Sequence, residues 1–65
     1  MKYTADYIIA VYSHEDNELL CQTSGVRHES TIPLELLDQL GHRYGDCLVV
    51  YTNITEGWIA EKDFD

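Results

Sequence analysis

The chain contains five histidines and cysteines, residue types that bind zinc: His14, His28, His42, Cys21 and Cys47. Imidazole nitrogen and thiolate sulfur are the usual zinc ligands, and structural zinc sites take them from close pairs such as Cys-x-x-Cys. None of the five forms such a pair. We therefore predict that the chain holds no metal and no other cofactor.

The sequence also lacks the residue patterns that catalysis needs. It contains no recognisable nucleophile–base set, no glycine-rich phosphate-binding loop and no pair of carboxylates placed for acid–base chemistry. We predict that the protein is not an enzyme.

Charge is the strongest compositional signal. Twelve acidic residues against four Lys and Arg give a formal net charge of −8 at pH 7. Nucleic-acid affinity depends largely on Lys and Arg that neutralise phosphates, so this balance disfavours DNA. An acidic surface instead favours a basic protein partner. The simpler alternative is that the charge only keeps a small protein soluble.

Acidic residues flank the aromatic residues near the C-terminus, and Trp and Tyr dominate the energetics of protein interfaces. We predict that this region contacts a basic protein partner. The alternative is that Trp58 is a core residue of the last strand and that the tail is merely solvated. The predicted partner-binding residues are Tyr51, Glu56, Trp58, Glu61, Asp63, Phe64 and Asp65.

Two strands are expected in the first 25 residues. Residues 7–12 form a continuous apolar run rich in β-branched and aromatic side chains, which favours a buried strand. The polar residues 13–17 indicate a turn, and residues 18–23 a second, antiparallel strand. Ser24-Gly25 is expected to form another turn, which separates this N-terminal hairpin from the rest of the chain.

A short helix is expected in the middle of the chain, after a weakly alternating strand over residues 26–32. Pro33 suits the first helical position because its missing N–H has no helical partner there. Leu36, Leu37 and Leu40 fall on one face, and Gly41 is expected to end the helix in a left-handed conformation. Two further strands are expected at residues 47–52 and 58–60, and an acidic tail at 61–65.

The segment from Ile32-Pro33 through Leu40-Gly41 to Gly45-Asp46 resembles the AbrB/MazE family of small swapped-hairpin proteins. The resemblance covers about residues 26–60, in one domain of residues 1–65 whose first 25 residues are an added hairpin. It implies a mainly β fold with one short helix, in which two chains interleave as a barrel-like homodimer. Residues that the resemblance assigns to the shared core are Ile32, Leu36, Leu37, Leu40, Leu48 and Val50.

The family consists mostly of DNA-binding regulators and antitoxins, and so the resemblance implies two alternatives. As a transcriptional regulator, the dimer would contact DNA through Arg27, His28 and Arg43, although Glu29 beside Arg27 would repel the same phosphate. As an antitoxin-like or inhibitor-like module, it would occlude a basic surface of a toxin, nuclease or polymerase-type enzyme. We favour the second because of the charge. A different fold, an SH3-like small barrel, is suggested by the Gly-Trp dipeptide that follows residues 45–50.

The length of the chain also favours a homodimer, because a domain of 65 residues has only a marginal core of its own. The sequence shows no signal peptide and no apolar run of about 20 residues that could span a membrane. We therefore predict a cytoplasmic protein with reduced cysteines.

Overall fold

The computed structural model describes residues 5–27 and 34–65. These residues form one four-stranded antiparallel sheet and one helix. The mainly β fold with a short helix that the sequence predicts is thus confirmed. In chain order the elements are β1 (Ala5–Ser13), β2 (Leu19–Arg27), α1 (Leu34–Tyr44), β3 (Cys47–Asn53) and β4 (Trp58–Phe64).

The two apolar runs of the sequence form the two central strands. The strand order is β2-β1-β3-β4, so β1 and β3 lie next to each other and β2 and β4 form the edges. Every neighbouring pair is antiparallel. A register shift between Val11 and Tyr12 places a bulge near the start of β2, and regular pairing continues from Cys21 to Arg27.

Helix α1 covers one side of the sheet. In β3, Cys47, Val49 and Tyr51 are fully buried on that side, while the residues between them are only partly buried. Leu37 is 2 % exposed, and Leu36 and Leu40 pack at the margin of the core, as the predicted helix face requires. The buried cluster is completed by Ile9 and Val11 of β1.

The end of the helix differs from the prediction. Gly41 lies inside α1 and is buried, so the prediction that it stops the helix is wrong. The helix continues to Tyr44, and Gly45, with φ of 63°, takes the left-handed conformation. Its N–H donates to the carbonyl of Gly41 over 2.8 Å. Gly41 has another role, because a Cβ there would overlap the ring of Phe64.

Both edge strands are longer than predicted. Strand β2 runs through Ser24 and Gly25, so the turn expected there is wrong. Gly25 pairs with Tyr7, and a Cβ on it would lie 2.9 Å from the Tyr7 hydroxyl. Strand β4 includes residues 61–64, which the sequence predicts as an acidic tail after the last strand. The strand predicted over residues 26–32 lies mostly outside the described residues, as do Ile32 and Pro33.

Candidate protein-binding surface

The side of the sheet opposite α1 is covered by no described helix or strand, and we call it the open face. Directly paired residues of neighbouring strands point to the same side, and successive residues alternate. The register therefore assigns the residues of this side. They are Asp6, Ile8, Ala10 and Tyr12 of β1, Leu48, Val50 and Thr52 of β3, Leu19, Gln22, Ser24 and Val26 of β2, and Ile59, Glu61 and Asp63 of β4.

The centre of the open face is apolar. Ala10 pairs with Val50 and Tyr12 pairs with Leu48, while Ile8 lies next to Ala10 on the same side of β1, and all five side chains are at least partly buried. At its margins the apolar side chains become strongly exposed: Val26 is 59 % and Ile59 is 62 % exposed. An apolar surface bordered by polar residues is typical of an interaction site.

One end of the open face contains a cavity of about 390 Å³ between β1, β2 and the turn after β3. Ile8, Val26 and Ile54 provide apolar walls, and Asp6 lies among the lining residues. The backbone there is fixed, because the N–H of Asp6 donates to Thr55 Oγ1 over 2.9 Å and the N–H of Ile54 donates to the Asp6 carbonyl over 2.9 Å. The arrangement suits an elongated side chain with a cationic end.

The charged residues of the open face are all acidic. Asp6, Glu61 and Asp63 are exposed there, and no Lys or Arg of the described residues shares this side. His14 Nε2 lies 3.2 Å from Asp63 Oδ1, so the two side chains form an ion pair when the imidazole is protonated. The described lysine, Lys62, points to the helix side and forms an ion pair with Asp38.

The residues predicted to bind a partner do not form one surface. Tyr51 is fully buried, and Trp58 and Phe64 lie partly buried against the core on the helix side. The Tyr51 and Trp58 rings are 5.3 Å apart, and His42 meets the edge of Phe64 at 5.5 Å. Glu61 and Asp63 lie on the open face, and Asp65 is exposed after the end of β4. Partner binding by these residues stays a prediction, now divided between two sides of the sheet.

Glu56 supports the turn between β3 and β4. Its N–H donates to Asn53 Oδ1 over 2.9 Å, and its carboxylate accepts from Trp58 Nε1 at 2.7 Å. Asn53 is fully buried and also accepts the N–H of Gly57 on its carbonyl over 2.8 Å. The turn is therefore held by side chains, and Glu56 is exposed but engaged within the protein.

The cations of the DNA-binding alternative are far apart in one chain. Arg27 ends β2 and pairs with Ala5 at one end of the sheet. Arg43 is in the last turn of α1, four residues before β3 begins at the other end. The seven residues of β3 span that distance, about 20 Å at the usual rise of a strand. His28 lies outside the described residues. Arg27 is half-buried, and its charge lowers the pKa of Tyr51, although burial has the larger, opposite effect.

The two cysteines are unpaired. Cys21 pairs with Val11 and Val11 with Val49, so strand β1 lies between β2, which carries Cys21, and β3, which carries Cys47. Two strand spacings, about 9.5 Å, exceed the reach of a disulfide. Burial raises the pKa of the Cys47 thiol. Among the residues that the structure describes, no three His, Cys, Asp or Glu side chains are grouped to hold a metal ion.

Most of the open face was missed by the sequence reasoning. Its apolar residues, such as Ile8 and Ile59, alternate with core residues along each strand. That period of two identifies two faces, but only the position of α1 decides which of them is covered.

Comparisons with protein-family models, curated proteins and solved structures found no match to this chain. Within residues 5–27 and 34–65, no helix has the length and apolar character needed to cross a membrane.

Proposed function

We propose that this protein is a non-enzymatic, acidic binding module that covers a basic surface of a protein partner with its open face. One observation carries the proposal. The open face has an apolar centre and three acidic residues, Asp6, Glu61 and Asp63, and no described Lys or Arg lies on it. Apolar area supplies affinity, whereas the acids select a cationic partner and speed its approach.

The class of partner follows from this chemistry. A surface rich in Lys and Arg with exposed apolar groups is complementary to the open face, and proteins that handle nucleic acids have such surfaces. The module would act like an antitoxin or an inhibitor, because occupying a basic surface blocks access of nucleic acid to it. A toxin, a nuclease or a polymerase-type enzyme is the kind of partner we propose, and we place both proteins in the cytoplasm.

Self-association is part of the proposal. The resemblance to the AbrB/MazE family predicts a homodimer with exchanged hairpins, and the small size of the chain favours a dimer independently. A dimer that leaves Leu48 and Val50 uncovered would present two open faces and so would bind a repeated or two-fold symmetric basic surface with increased avidity.

Charge reversal on the open face tests the function. In the variant Asp6→Lys with Glu61→Lys, we expect affinity for the basic partner to fall at least about tenfold, with a weaker dependence on salt, because two attractive charges become repulsive. The measurement is biolayer interferometry of the purified protein against basic nucleases, toxins and polymerase subunits over a series of salt concentrations. The side chains of Asp6 and Glu61 make no hydrogen bond or ion pair with another described residue, so we expect the variant to fold.

The matched control is Glu15→Lys with Glu35→Lys, which changes the net charge equally but lies on the β1–β2 turn and on α1. It should retain most of the affinity. Equal losses in the two variants would show that net charge, not the open face, determines binding. A gel shift of duplex DNA at low salt that is lost in Arg27→Ala would favour the regulator alternative instead.

A further inference from the structure

The two edges of the sheet differ in charge. Residues 19–26 of β2 contain no acidic, basic or histidine side chain, whereas β4 carries Glu61, Lys62 and Asp63 in succession. An edge strand has unpaired backbone N–H and C=O groups, and proteins commonly protect such edges with charges. Edge β4 has this protection, and β2, which is nine residues long, does not.

From this asymmetry, we propose that two copies of the chain pair antiparallel through their β2 strands and form one continuous eight-stranded sheet. The inference rests on the homodimer of the proposed function, but it replaces the exchange of hairpins with pairing between strand edges. It requires no exchange of hairpins and no partner protein. Each copy contributes the same strand, so the interface is two-fold symmetric and closes after two chains.

Charge explains why the occupant is a second copy. Two chains with a net charge of −8 repel each other wherever their acids meet. Of the two edge strands, β2 is the one along which no acidic side chain repels a second copy. Strand β4 excludes itself, because full antiparallel overlap of Trp58–Phe64 places Glu61 opposite Glu61 of the second copy.

Full overlap of Leu19–Arg27 with itself places Thr23 on the two-fold axis. Thr–Thr pairs across strands are favourable. The same register brings Leu20, which lies at the bulge of β2 and is 42 % exposed, next to Val26 of the second copy, which is 59 % exposed. The two-fold axis makes two such Leu20–Val26 pairs, and both would be removed from water on association. Because the axis is perpendicular to the sheet, the open faces of the two copies join into one larger face.

The test places charges at Thr23 and measures the molar mass by light scattering over a concentration series. Wild-type protein should approach twice 7.5 kDa. Thr23→Glu and Thr23→Lys should each raise the dissociation constant at least about tenfold, because two like charges meet on the axis. An equimolar mixture of the two variants should form heterodimers as tight as the wild-type dimer. That rescue also shows that both variants fold.

The controls for net charge are Gln39→Glu and Gln39→Lys, at an exposed position of α1. If only overall repulsion mattered, Thr23→Lys would tighten the dimer, since it reduces the net negative charge. A monomer at every concentration would overturn both the homodimer and the edge interface. A dimer indifferent to charge at Thr23 would overturn the edge interface alone, and growth into larger polymers would overturn its closed symmetry. Binding of a basic partner is measured separately and does not depend on these outcomes.

Discussion

At the scale of single residues, glycine acts here through close approach as much as through backbone freedom. Gly41 lies inside α1 and is not among the residues with positive φ, yet the Phe64 ring occupies the space that a side chain there would need. Gly45 shows the opposite case, because nothing lies within 4 Å of its would-be Cβ but its φ is 63°. The contact between α1 and the end of β4 therefore depends on the absence of one methyl group.

We predict that Gly41→Ala destabilises the protein by about 1–3 kcal/mol, although alanine favours helices over glycine, because overpacking displaces the Phe64 ring. Gly45→Ala should cost about 1–2 kcal/mol through backbone strain alone. Urea unfolding measures both. In a Phe64→Leu background the cost of Gly41→Ala should shrink markedly while that of Gly45→Ala should not. Equal costs in both backgrounds would contradict the contact.

At the scale of elements, the turn between β3 and β4 connects three strands. Asn53 holds the turn from inside, and Thr55 and Ile54 bond the backbone of Asp6 on β1. Asn53 is the one buried polar residue among those described, and its side-chain oxygen satisfies the N–H of Glu56. The position of Asp6 at the cavity of the open face thus depends on a side chain that points away from that face.

We predict that Asn53→Ala lowers the free energy of unfolding by about 1–3 kcal/mol, because a buried site loses its hydrogen bonds and the turn loses its anchor. Thr52→Ala, on the neighbouring open-face position, should cost less. Thermal unfolding compares the two. Amide exchange should also accelerate at Glu56 and Gly57 in Asn53→Ala, and unchanged exchange there would mean that the turn is held by the strands alone.

The elements that could be predicted from the sequence are those with local signals. Strands β1 and β3 are apolar runs, and the leucines of α1 repeat with the helical period. The prediction of a turn at Ser24-Gly25 was wrong because glycine also occurs inside strands where a neighbouring side chain comes close, here that of Tyr7 against Gly25. Strand β4 was cut short because its charges suggest solvent, whereas pairing with β3 provides its hydrogen bonds.

The candidate site was predicted only in part, for a related reason. Composition indicated that Glu61 and Asp63 are exposed, and they are. It grouped them with Trp58 and Phe64, but alternation along β4 sends the aromatics towards α1 and the acids to the other side. A sequence pattern gives two faces of a strand, and only tertiary packing decides which one is buried.

At the scale of the whole molecule, the core contains two groups that gain charge at high pH. Burial raises the pKa of Cys47 from its ordinary value of 9.0. Burial likewise raises the pKa of Tyr51 from 10.0, and this effect exceeds the opposing effect of Arg27. Both side chains are fully buried in the folded protein. Above pH 9 the unfolded chain therefore loses these protons more readily than the folded chain does.

Linkage then fixes the sign of the pH dependence. The stabilisation is fully present below the unfolded pKa values and is lost as pH rises from about 9 towards the raised folded values, by at most about 1.4 kcal/mol per group for each pH unit. We predict that urea unfolding shows falling stability from pH 9 upwards. Cys47→Ala should be less stable at pH 7 because of the smaller side chain, but its stability should fall less between pH 8.5 and 10. An identical slope in the two proteins would mean that the acidic surface, through its growing net negative charge, controls alkaline unfolding.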